Sequence, residues 1–94
     1  MYFVVTRHDK AASYELRLSV RPRHLDYLEM VIDRIVYGGA LLGPDGKQNG
    51  SMLVINVAGH AVAQTFANAD RFAAVAETSI EAFEPVFRDG PRIN

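Results

Sequence analysis

The side chains in this 94-residue chain best suited to moving a proton are a histidine, His24, and an aspartate, Asp70, well separated in sequence. At 3.6 residues per turn His24 lies within about 40° of Leu28 and Ile35, at the border of an apolar helical stripe. A half-buried imidazole there exchanges protons near neutral pH if a carboxylate or carbonyl fixes its tautomer. On residue type alone, a border histidine is more often structural. Asp70 follows Asn68-Ala69 at a break in a helical stretch and precedes Arg71-Phe72-Ala73-Ala74. It suits a helix N-cap worth about 1 kcal/mol, and equally a carboxylate that orients a histidine and stabilises the imidazolium. The sequence leaves open whether the two meet.

Arg7, His8 and Arg17 offer positive charge to a developing oxyanion or a departing anion, or are simply solvated. Ser51 follows a glycine at the start of an apolar segment, where its hydroxyl lines a pocket or satisfies a turn. No nucleophile elbow surrounds it, so a serine hydrolase is excluded. The run from Gly38 to Gly50 is no phosphate loop, because Gln48 follows Gly46-Lys47 and Leu41 stands where the first glycine is required. His8, His24 and Asp70 show no close ligand spacing, and no metal site is assigned to them.

These side chains need elements to position them. Tyr2 to Arg7, aromatic and β-branched, reads as a strand. From Pro22, suited to a first helical turn, Leu25, Leu28, Ile32, Ile35 and Val36 recur at helical spacing, and Gly38-Gly39 ends the pattern. Gly43-Pro44-Asp45-Gly46 reads as a hairpin turn, Ser51 to Val57 as the returning strand and His60 to Ala69 as a second helix. A short helical piece through Phe72 and Val75 follows, then a last strand from Thr78 to Phe87 with Pro85 near its end. The order β-α-β-β-α-β, with right-handed crossovers, gives an α+β, ferredoxin-like fold: a four-stranded antiparallel sheet with both helices on one face. In the third strand Leu53, Ile55 and Val57 point one way and Met52 and Val54 the other, so two helices cannot cover both faces. A second copy packed sheet to sheet, forming a dimeric α+β barrel, is the expected cover.

Length and composition agree with one domain spanning residues 1–94. A monomer this small hides roughly 60–65% of its unfolded surface, so association would help its stability. Apolar residues make up 49% and charged residues 22%, as in a packed globular domain. A net charge of −1, without basic clusters, withholds the usual support for nucleic-acid or membrane-surface binding and leaves small molecules and proteins as partners. The absence of cysteine excludes disulfides and suits the cytoplasm, and the N-terminal apolar run is too short for a signal peptide or a membrane span.

Asp9-Lys10 followed by Leu16-Arg17-Leu18-Ser19-Val20-Arg21-Pro22-Arg23-His24-Leu25 resembles the DK…LRLxxRPxHL pattern of the YciI-like (YCII-related) family. The resemblance continues through Gly39 to Pro44, through Gly50-Ser51-Met52-Leu53-Val54 and through Ala67 to Phe72, nearly the whole chain. It implies a ferredoxin-like domain that dimerises as an α+β barrel, with a histidine–aspartate pair in a pocket at His24 and Asp70. Arg71 stands where the family usually has proline and Phe72 where it has tyrosine, which removes one hydroxyl from the site. The reaction type implied is loss of HCl from a chlorinated hydroxyhydroquinone. His24, held by Asp70, would take a proton from a ring hydroxyl while Arg17, His8 and Ser51 bind the substrate. No electrons are exchanged overall, so no cofactor is expected, in keeping with the missing dinucleotide fingerprint. A muconolactone-type isomerase and a non-catalytic ligand-binding accessory protein are the alternative readings.

Overall fold

A computed structural model describes residues 1–93. The chain forms β1 (Tyr2–Asp9), α1 (Tyr14–Met30), a 3-10 turn (Ile32–Arg34), β2 (Ile35–Leu42), β3 (Gln48–Asn56), α2 (His60–Ala69), a second 3-10 turn (Arg71–Ala74) and β4 (Ala76–Phe83). The strands make one antiparallel sheet in the order β2-β3-β1-β4, the expected ferredoxin-like α+β arrangement.

Alternation along β1 sets the layers. Phe3, Val5 and Arg7 are buried on the helix side, and Leu53, Ile55 and Val57 join them from the β3 end of the sheet. α2 closes the core with Ala63, Phe66 and Ala67, and Leu28 and Val31 of the α1 end pack against it. Each large apolar side chain removed from water here contributes roughly 1.5–3 kcal/mol. On the far face lie Tyr2, Val4, Thr6 and His8 of β1, with Met52 and Val54 of β3 half-buried beside them.

The first helix departs from the sequence expectation. It begins at Tyr14, so Pro22 sits inside it rather than in its first turn. A mid-helix proline frees the carbonyl four residues earlier. That residue, Leu18, is exposed, so water can satisfy the carbonyl and the helix continues. It ends at Met30, which puts Ile35 and Val36 in β2 and leaves Leu25 and Ile32 exposed. The buried residues of α1 are Arg17 and His24, two turns apart on one face. The fully buried side chains of this helix are therefore polar, while Leu16, Leu18 and Leu25 stay exposed and Leu28 is half-buried.

Gly38 and Gly39 lie within β2 instead of ending the helix. A Cβ on Gly38 would collide with the Leu53 side chain and the Met52 carbonyl oxygen, whereas Gly39 has open space. The hairpin turn is as expected: Gly46 adopts a positive φ of 81°, and the Lys47 N–H donates to the Asp45 carboxylate at 3.0 Å. β4 starts earlier and ends earlier than expected, at Phe83, so Pro85 falls outside the sheet. The chain then turns back on itself, with the Ile93 N–H donating to the Val86 carbonyl at 2.7 Å. Among the described residues no helix is long and apolar enough to cross a membrane.

Gly38→Ala should lower stability by about 1–3 kcal/mol, because rigid backbone blocks the added methyl, whereas Gly39→Ala should change it by less than about 1 kcal/mol. Urea unfolding of the two variants checks the contrast, and equal midpoints would refute the close approach at Gly38.

Candidate active site

The inward face of α1 presents His24, 7% exposed, to the segment that joins α2 to β4. There its Nδ1 lies 2.8 Å from Asp70 Oδ1 and 2.9 Å from Oδ2. An ionised carboxylate only accepts, so the neutral imidazole carries its hydrogen on Nδ1 and leaves the Nε2 lone pair free. No protein group among the described residues bonds Nε2, and His24 lines a cleft of about 290 Å³ between α1 and the strands β2 and β3. The geometry suits a general base whose tautomer is set from behind.

Asp70 also caps the second 3-10 turn, its Oδ1 accepting the Phe72 N–H at 3.1 Å. One carboxylate thus both caps the turn and bonds the imidazole. The cap fixes Phe72, whose ring stacks on the His24 imidazole at 3.6 Å between centroids and 11° between planes. The Arg17 guanidinium carbon lies 4.4 Å from the centre of the same ring. Arg17 itself is 2% exposed, gripped by Asp9 at 2.9 and 3.1 Å and donating to the Gly50 carbonyl at 3.1 Å.

Behind the dyad, buried Arg7 donates to the Ala67 carbonyl at 2.7 Å and stands 4.0 Å from Asp70 Oδ2. Desolvation lowers its pKa from the ordinary arginine value, opposed by the nearby charge of Asp70. Tyr27, on α1, donates its hydroxyl to the Phe66 carbonyl at 2.8 Å. Burial raises its pKa above the ordinary 10.0, and the Asp70 carboxylate pushes in the same direction.

The fold therefore brings His24, Asp70, Arg17 and Ser51 together. Ser51, 6% exposed, lines the cleft from β3. His8 does not join them: the alternation that buries Arg7 turns His8 to the opposite, exposed face of the sheet, opposite Glu77 of β4 in register. It takes no part in the cleft. No group of three metal-binding side chains occurs among the described residues. Sequence reasoning overlooked Arg21, which lines the cleft three residues before His24; the helical spacing of the two was the available signal. The placement of Arg7 in the buried phase of β1, in step with Phe3 and Val5, was a second one.

Tyr27 generates a pH prediction. Well below pH 10 the phenol is neutral in both states; as pH rises through the ordinary value of 10.0 the unfolded chain ionises first, because the folded pKa is raised, and stability falls as pH increases. Between about pH 9 and about pH 11, wild type should lose more stability than Tyr27→Phe in urea titrations. Parallel losses would show that the phenol does not titrate differently on folding.

The YCII-related domain family matches residues 1–84. Protein YciI of Escherichia coli O6:H1 is 33% identical over 98 aligned positions, which take in 93% of this chain and 100% of that protein. Protein YciI of Shigella flexneri is similar to the same extent, 33% over 98 positions. Among solved structures, 5-chloro-2-hydroxyhydroquinone dehydrochlorinase (TftG) from Burkholderia phenoliruptrix AC1100, in complex with 2,5-dihydroxybenzoquinone, matches with a TM-score of 0.82. That match has 28% sequence identity and covers 89% of this chain and 94% of the other. With a family match over most of its length, the chain belongs to the YCII-related (YciI-like) family.

Proposed function

We propose that this protein is a cytoplasmic, cofactor-independent lyase that eliminates HCl from a small chlorinated hydroxyhydroquinone. The observation that carries the reading is the buried His24–Asp70 pair, 2.8 Å apart, with the histidine on the wall of a cleft of about 290 Å³. The likeness to a dehydrochlorinase bound to a dihydroxyquinone supports the substrate class.

The reaction balances without an external oxidant. His24 Nε2 takes the proton of one ring hydroxyl, and a proton is delivered to the ring carbon that bears chlorine, giving the keto tautomer. Loss of a second hydroxyl proton to the imidazole forms the other carbonyl, and the C–Cl electron pair leaves with chloride. The net loss is one HCl, and the ring becomes a quinone. Asp70 keeps Nδ1–H in place and stabilises the imidazolium between the two transfers. Arg17 and Ser51 contribute from the cleft wall, with the Ser51 hydroxyl as the hydrogen-bond partner of a ring oxygen.

A homodimer belongs to the same proposal. The outer face of the sheet carries Val4, Met52 and Val54 at its centre, half-buried in a single chain, and a second copy laid against it would remove them from water. Sedimentation should give twice the mass of one chain, and Val54→Lys should shift it toward a single-chain mass; a wild type that sediments as one chain would overturn the dimer.

Chloride release and quinone absorbance with 5-chloro-2-hydroxyhydroquinone test the chemistry. His24→Ala should lower kcat by about 10²–10⁴-fold, the usual worth of a positioned acid–base group, with Asp70→Asn also impaired and circular dichroism confirming that each variant folds. Turnover equal to wild type in both variants would remove the dyad from the mechanism. A rearranged product without chloride would move the protein to the ring isomerases.

A further inference from the structure

The charged groups around the cleft differ in whether a counter-charge already answers them. Arg17 is answered by the Asp9 carboxylate, which it holds with two hydrogen bonds. Arg7 is answered by Asp70, and the neutral form of His24 adds no charge. Arg21 differs: it makes no ion pair and no side-chain hydrogen bond among the described residues, yet its side chain lines the cleft. Its neighbours three and four residues away along α1 are Arg17, Leu18, His24 and Leu25, so the helix offers it no carboxylate. No aspartate or glutamate lines the cleft either. One uncompensated positive charge therefore stands at its edge.

The rest of the wall is suited to a flat apolar body. Leu25, Leu28 and Leu53 supply aliphatic surface, and the Phe72 ring supplies a plane parallel to the imidazole. Arg21 and His24, one helical turn apart on α1, place a fixed cation and a proton acceptor along the same side of the space.

We propose that the cleft selects planar rings bearing an ionised oxygen substituent, and that Arg21 is the specificity-determining cation that receives it. This rests on the cleft being the ligand site proposed above, but not on the elimination of HCl. An anionic oxygen is bound by the Arg21 guanidinium through a charge-assisted hydrogen bond while a second ring substituent is turned toward His24 Nε2. A ring of the same shape without the charge keeps its apolar contacts and loses that bond.

Calorimetric titration of the full chain with two quinones separates the charge from the shape. The probes are 2,5-dihydroxybenzoquinone, a vinylogous acid ionised at neutral pH, and its neutral dimethyl ether. Wild type should bind the ionised ring about tenfold or more tightly than the ether, a difference of about 1.4 kcal/mol, and the preference should shrink as salt is raised. Arg21 is exposed, so its replacement leaves the core intact. In Arg21→Gln the preference should fall to about twofold or less, with Arg21→Lys retaining part of it. Equal binding of the two rings by wild type, no binding of either, or a preference unchanged in Arg21→Gln would each overturn the proposal; the last result would assign the discrimination to methyl bulk. A protein that shows the charge preference yet releases no chloride would overturn the lyase reading alone.

Discussion

A carboxylate almost without access to water must find donors inside the protein, and Asp70, 2% exposed, draws them from separate parts of the chain. The Phe72 N–H comes from the turn that follows it, the imidazole Nδ1–H from α1, and the Arg7 guanidinium approaches from β1. Taking away one member of such a buried pair typically costs about 3–5 kcal/mol. A domain's whole stability is about 5–15 kcal/mol. The position of α1 relative to the sheet is thus tied to the same atoms that orient the histidine.

That tie has a counterpart in the apolar core. Phe3, Ile55, Phe66 and Ala67 pack β1, β3 and α2 into one body, whereas α1 contributes two buried residues within its own span, both polar. The helix is held largely by hydrogen bonds, ring stacking and the ion pair to Asp9, and it makes few apolar contacts with the strands beneath it. A cleft remains where a leucine-faced helix would have closed onto the sheet. The arrangement gives up apolar burial along α1, and what stands there instead is a set of oriented polar groups.

Much of this was legible in the sequence, in uneven measure. The alternating strands, the hairpin at Gly43 to Gly46 and the helix from His60 to Ala69 follow local rules of period and turn chemistry, and the topology followed from their order. The boundaries of α1 did not, because Leu25, Ile32 and Ile35 continue a helical period that tertiary structure does not use. The pairing of His24 with Asp70 joins residues 46 positions apart, and no local pattern encodes such a contact; the family resemblance alone pointed to it. His8 was misjudged for a simpler reason. Neighbouring residues on a strand face opposite ways, so Arg7 and His8 could not both serve one cavity.

The wall of the cleft formed by β2 has a consequence for how the protein can diversify. At Gly38 the bare backbone approaches Leu53 and the Met52 carbonyl too closely to accept even a methyl group. A change in the width of the cleft therefore has to fall where there is room, at Gly39 on the same strand, where an added Cβ meets nothing, or at the exposed Leu25 on the helix opposite. Main-chain proximity freezes one position of the strand and leaves its immediate neighbour open to novelty.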